Sequence, residues 1–232
     1  EISVGPDRTV RVLRDGKTVL ATPPVGMTVD GVAPFKATGR AVRRSLSGTV
    51  ETPVYKKASV DLSANVTEID VSEGFALETI ARNDGVAWRF VSSRGGRLVI
   101  RDEQASVNFE RQTVLYPGTT SMFEHSYETT YGRVEIGRDA GEGDRKWFVP
   151  LAGKTWGDVW FALKDVDVRD YPGWYLTSAG KDGRSASAFP RVPVEEAIVP
   201  DLRHRRVRER HGYIAETSGR RAFPWRAVAL GD

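Results

Sequence analysis

No stretch of this 232-residue sequence carries apolar residues at helical spacing over a convincing length. That absence constrains the fold more than any residue present. In place of helical periodicity the chain has many short runs of β-favouring residues, punctuated by turn chemistry. Residues 10–14 and 17–20 flank Asp15-Gly16, a hairpin signal with a mechanism, because both central residues of a type I′ turn take positive φ. Thr22-Pro23-Pro24 stops any continuation. Residues 42–47 and 48–55 read as strands around an exposed loop, Ser59-Val60-Asp61-Leu62-Ser63 alternates, and Ile69-Asp70-Val71 resumes the alternation. Two β-rich runs, 75–82 and 86–91, lie either side of Asn83-Asp84-Gly85, which predicts a hairpin with Gly85 at positive φ. Arg94-Gly95-Gly96-Arg97 predicts a further tight turn before residues 98–100, residues 105–109 are a further strand candidate, residues 147–151 are apolar, and an apolar strand follows Pro224-Trp225-Arg226. Many short strands separated by turns predict an all-β sandwich occupying residues 1–232 as a single domain.

The most informative stretch is residues 159–176. Val159-Trp160-Phe161-Ala162-Leu163 is a short apolar strand, and alternation puts Phe161, Leu163, Asp165 and Asp167 on one side of it. That side is apolar first and acidic afterwards. Carboxylates at the end of a buried strand must meet water, a cation or a partner surface, since burying them unpaired is too costly. Tyr171-Pro172-Gly173 turns the chain, and Trp174-Tyr175-Leu176 is apolar again.

Here the sequence resembles a known family. Asp165, followed by Asp167-Val168-Arg169-Asp170-Tyr171-Pro172-Gly173-Trp174-Tyr175-Leu176, is similar to a signature in the N-terminal domain of glycoside hydrolase family 97. Three further blocks resemble the same domain in the same order: Arg82-Asn83-Asp84-Gly85-Val86-Ala87-Trp88-Arg89-Phe90, the Ser-Tyr-Glu-x-x-Tyr core at Ser126-Tyr127-Glu128-Thr129-Thr130-Tyr131, and Pro224-Trp225-Arg226. The resemblance implies a large antiparallel β-super-sandwich of the galactose-mutarotase-like class. It also implies part of a calcium-dependent α-glucosidase or α-galactosidase, in which this domain packs on a catalytic (β/α) barrel and shapes one wall of the active site. In that family a glutamate reaches from the β-domain to a calcium ion in the barrel. The matching residue here is Asp165, one methylene shorter, and the alternative for it is a solvated acid at a strand end. The resemblance places the catalytic carboxylates beyond Asp232, and an α-linked oligosaccharide is the implied substrate.

Composition excludes some chemistry. With no cysteine there are no disulfides, thiolate metal sites or cysteine nucleophiles. Hydrophobic content of 40% suffices for a sizeable core, and the apolar runs are too short for a membrane span. No charged-then-apolar leader opens the sequence; the expected location is periplasmic or secreted, with any signal peptide lying outside these residues. A net charge of +3, from 34 basic and 31 acidic residues, argues little for a polyanionic partner.

Glycoside hydrolysis generally needs two carboxyl groups flanking the scissile bond. Glu124 with Glu128, or Asp165 with Asp167, are the pairs that present themselves, and nothing in the sequence sets either across a sugar. His125, His204 and His211 do not have zinc-site spacing. Gly141-Glu142-Gly143 lacks the third glycine of a dinucleotide loop, and Ser178-Ala179-Gly180-Lys181 lacks the helix and companion motifs of a Ser-x-x-Lys hydrolase. The basic run 203–211 (Arg203, His204, Arg205, Arg206, Arg208, Arg210 and His211) is the feature that would support nucleic-acid binding, but Glu209 interrupts it and no stacking aromatics are interleaved. A solvated edge strand is the plainer reading, and no nucleic-acid partner is expected. A stand-alone carbohydrate-binding module is the other alternative, with Trp156, Trp174 and Tyr175 as the rings to stack on a sugar.

Overall fold

The computed structural model of the chain describes residues 1–52, 57–139, 143–199 and 204–231. Expectations for Tyr55, Gly141, Glu142, Leu202 and Arg203 lie outside the described residues, as do the side chains of His204, Arg205 and Arg206. The first strands are β1 (Ile2–Val4), β2 (Val10–Arg14), β3 (Lys17–Ala21) and β4 (Gly26–Val29). Asp15 and Gly16, at φ 50° and 74°, make the β2–β3 turn as the type I′ geometry requires. Next come β5 (Ala41–Leu46), β6 (Thr49–Glu51), β7 (Ser59–Asp61), β8 (Ala64–Ser72) and β9 (Phe75–Arg82).

Strand β10 (Gly85–Gln104) departs from expectation twice. Arg82 pairs with Gly85, so Asn83-Asp84 alone form the hairpin turn, and none of Asn83, Asp84 and Gly85 takes positive φ. Glycine is needed at position 85 for proximity instead: a Cβ there would stand 2.6 Å from the Val228 carbonyl oxygen on the neighbouring strand. The expected turn at Arg94-Gly95-Gly96-Arg97 is not a turn but an irregularity inside the one long strand, with Gly96 at φ 78°. Pairing shifts register between Ser93 and Arg97, which lets two glycines bend a strand without ending it.

The remaining strands are β11 (Val107–Asn108), β12 (Val114–Thr120), β13 (Val134–Glu135), β14 (Lys146–Lys154), β15 (Trp160–Val166), β16 (Tyr175–Thr177), β17 (Arg184–Ser185), β18 (Ser187–Ala188), β19 (Pro193–Val199), β20 (His204–Arg210), β21 (Ala215–Ala222) and β22 (Trp225–Gly231). Among the described residues there is no helix. A five-stranded sheet runs β1-β2-β3-β11-β17. A larger one follows the row β13-β12-β14-β15-β22-β10-β9-β8-β5, with β4, β16, β18 and β21 attached beside it, and β6-β7 and β19-β20 are separate hairpins. Val10, Val12, Leu20 and Val107 of the smaller sheet share one core with Leu77, Trp88, Leu151, Leu163 and Val228 of the larger. Each such side chain contributes about 1.5–3 kcal/mol through burial. The chain is thus a large antiparallel β-super-sandwich, as its sequence suggests.

Register in the larger sheet positions the site. Trp88 on β10 stands opposite Arg226 on β22, and Arg226 stands opposite Asp165 on β15. Three of the four sequence blocks therefore meet in one row.

Candidate functional site

The alternation of β15 is regular up to its end: Phe161 and Leu163 are buried, Trp160 and Lys164 exposed, and Asp165 half-buried on the side of the two apolar residues. The strand stops at Val166. Asp167 and Asp170 both take left-handed backbone conformations, at φ 61° and 48°. Asp167 consequently leaves the strand face that alternation assigned to it, and its carboxylate pairs with Arg169 Nε at 2.8 Å. The reversal through Tyr171-Pro172-Gly173 returns the chain to Asp165, where the Trp174 amide donates to Asp165 Oδ2 at 3.0 Å. One carboxylate oxygen is thereby held by the main chain. Among the described residues Asp165 forms no ion pair.

Beneath it lies a buried ion pair. Arg226 Nε and Nη2 donate to Glu103 Oε1 and Oε2 at 2.8 and 2.7 Å, a two-pronged geometry that suits guanidinium and carboxylate. Burial opposes the charged form of Arg226, yet the charge and hydrogen bonds of Glu103 outweigh it and hold the guanidinium above its ordinary range. The guanidinium lies over the rings of Trp174 and Phe189, at 5.4 and 5.2 Å. Burial, reinforced by the charge of Glu103, pushes the Tyr171 phenol well above the usual tyrosine range.

This packing corrects the sugar-stacking expectation. Trp174 is 1% exposed and Tyr175 4%, so neither ring can receive a sugar, whereas Trp156 is 64% exposed. Trp174 supports Arg226, and Tyr175 belongs to a second cluster at the same end of the sheet. Tyr175 pairs in register with Phe148 on β14. Its hydroxyl lies 3.2 Å from His125 Nε2 and 2.8 Å from the Tyr127 hydroxyl. The Tyr127 amide donates to His125 Nδ1 at 3.1 Å. Burial lowers the His125 pKa below its ordinary value. Burial first, then the hydrogen bond with Tyr127, pushes the Tyr175 phenol up. The Ser-Tyr-Glu-x-x-Tyr block thus lands beside the Asp165 block. A Cβ placed on Gly173 would lie 3.8 Å from the Tyr175 ring and 4.0 Å from Asp165 Oδ2. Glu103, which no sequence motif marked, is found only through its ion pair with Arg226.

The other candidates disperse. Glu124 is paired with Arg210, and Glu128 is exposed. His211 stacks on Tyr213. Among the described residues no three His, Asp or Glu side chains gather as a metal cluster. Ser178 and Lys181 lie in the turn region after β16. In the basic run, Arg208 is paired with Glu195 and Arg210 with Glu124. A groove of about 1010 Å³ runs along β5 and β8, lined by Arg43, Arg44, Ser45, Asn65 and Arg82, remote in sequence from the Asp165 block and without an aromatic platform.

Residues 2–232 match the family described as Glycosyl-hydrolase 97 N-terminal. A retaining alpha-galactosidase of Bacteroides thetaiotaomicron is 25% identical over 245 residues, a match that takes in 99% of this chain and 36% of the relative. A glycoside hydrolase family 97 enzyme from Pseudoalteromonas sp. strain K8, solved in complex with acarbose, superposes with a TM-score of 0.74 at 16% identity, over 100% of this chain and 34% of its own. A beta-arabinopyranosidase superposes at 0.75 with 21% identity, over 100% and 38%. The chain spans little more than a third of the length of these proteins. With the match running from residue 2 to residue 232, the chain belongs to the glycosyl-hydrolase 97 N-terminal family.

Proposed function

We propose that this domain serves a calcium-dependent α-glycosidase by packing on a catalytic (β/α) barrel, forming one wall of its active site and contributing Asp165 to the metal. The carboxylate of Asp165 carries this reading. It sits half-buried at a strand end, forms no ion pair among the described residues, and has one oxygen held by the Trp174 amide. That leaves Oδ1 as a hard oxygen donor in a defined orientation, the ligand chemistry that calcium takes. Calcium requires about six to eight oxygens, and one aspartate supplies at most two, so Asp165 fits as one contributor to a shared site. The ion would supply charge stabilisation at the sugar, and the carboxylates that break the glycosidic bond would come from the barrel. An α-linked oligosaccharide is the proposed substrate class, and a periplasmic or secreted location the proposed setting.

The test is Asp165→Asn in the complete enzyme, which keeps an acceptor for the Trp174 amide while removing the charge. Calcium is titrated against activity. The expected result is a weaker calcium dependence and lower activity with unchanged melting of the β-domain. Untouched activity, together with loss of activity in Asp167→Ala, would transfer the role to Asp167 and overturn the assignment.

A further inference from the structure

Tyr127 is held in a conformation its residue type disfavours. It adopts φ 62°, in the left-handed region, and the residue is nonetheless 53% exposed. For a bulky side chain that backbone costs about 1–2 kcal/mol, and such strain persists where the surroundings over-determine it. Here the surroundings are the contacts to His125, Tyr175 and Phe148. The Tyr127 ring stands edge-on to Phe148 at 5.0 Å, and Tyr131, equally exposed, stands edge-on to the same ring at 6.1 Å. Phe148 is itself seated over Gly118 of β12, where a Cβ would come within 2.2 Å of its ring. The two tyrosines rest on a buried ring.

The hydrogen bonds among these groups have a direction. His125 Nδ1 accepts the Tyr127 amide proton and so carries none of its own. The neutral ring must then donate through Nε2, and the Tyr175 oxygen accepts. Tyr175 is buried, and its own proton needs an acceptor, which the Tyr127 oxygen provides at 2.8 Å. The reverse arrangement would leave the buried Tyr175 donor unpaired. The Tyr127 proton is left at the end of the relay, with no acceptor among the described residues. Polarisation along such a chain strengthens the terminal donor.

We propose that Tyr127 is a substrate-contacting residue whose hydroxyl, set by the His125–Tyr175 relay, donates to an oxygen of a bound pyranoside, with the exposed Tyr131 ring beside it. This rests on the reading of the chain as part of a glycosidase. Ring surface next to a hydroxyl donor matches the alternation of C–H faces and oxygens on a sugar.

The relay itself is tested in the 232-residue chain by ¹⁵N NMR of the imidazoles. His125 is expected as the Nε2–H tautomer at pH 7.5, and an Nδ1–H tautomer would overturn the relay. The contact is tested by Tyr127→Phe in the complete enzyme, using the p-nitrophenyl α-glycoside it hydrolyses fastest. KM is expected to rise about three- to tenfold, the loss of one neutral hydrogen bond, with kcat, calcium half-saturation and melting temperature unchanged. An unchanged KM overturns the proposal. So does an unchanged KM accompanied by a lower melting temperature, which would make Tyr127 a contact to the rest of the enzyme. If Asp165→Asn leaves the calcium dependence intact while Tyr127→Phe raises KM, the metal reading fails and this inference stands.

Discussion

Arg226 on β22 stands directly opposite Asp165 on β15, yet its guanidinium closes on Glu103, 123 positions away in sequence, and not on Asp165. The cation stays under the site and is neutralised from below. Asp165 forms no ion pair among the described residues and lies in the field of a buried arginine.

Removing one member of the buried pair leaves the other charge stranded. Arg226→Ala is expected to destabilise the domain by about 3–5 kcal/mol, because Glu103 would be buried without a counter-ion. The double variant Glu103→Gln with Arg226→Met should recover much of that loss. Urea unfolding of the two variants beside the parent chain measures the difference, and equal losses would show that the pair is not the source.

Two glycines separate two reasons for being glycine. Gly16→Ala places a Cβ in open space, and the expected cost is about 1 kcal/mol from its positive φ alone. Gly85→Ala has an ordinary φ but drives a Cβ onto the Val228 carbonyl, so the β10–β22 pairing must open. We expect it to cost about 1–3 kcal/mol, as overpacking does, with the amides of β22 losing protection in hydrogen exchange.

Acidification should loosen the loop carrying Tyr127. Burial lowers the folded-state pKa of His125 below its ordinary value of 6.5, so the unfolded chain takes up the proton first. The stability contributed by neutral His125 is complete above 6.5 and is lost as pH falls from there through the folded-state value. The groups facing the ring are Tyr127, Tyr175 and Phe148, and the adjacent Glu124 is already paired with Arg210. Protonation of Nδ1 turns it from acceptor to donor and ejects the Tyr127 amide. The Tyr127 amide resonance should move over this pH range in the parent chain and stay fixed in His125→Gln.

The isolated domain should hold calcium poorly even though Asp165 is a ligand in the proposed site. With a single carboxylate available, calorimetric titration of the 232-residue chain should show no binding tighter than about 1 mM, the weak end of known calcium sites. Saturable micromolar binding that survives Asp165→Asn would place a calcium site elsewhere on the domain.

Local chemistry made much of this protein legible in sequence. The absence of helical periodicity predicts an all-β chain, Asp15-Gly16 predicts its turn type, and the alternation Phe161, Leu163, Asp165 puts the acid at the end of a buried face. Each of these depends on a few neighbouring residues and on backbone preferences that operate over that range. What tertiary structure alone decided depends on register between distant strands. Gly85 is small because Val228 passes close by, Gly95-Gly96 bend a strand because β21 continues to pair with it, and Trp174 and Tyr175 are buried because Arg226 and Phe148 lie against them. The same register aligns Trp88, Arg226 and Asp165, and the turn after β15 brings Tyr175 to His125 and Tyr127. Side-chain alternation says which face a residue takes, whereas its partner across the sheet is set by the pairing of whole strands, which no local pattern encodes.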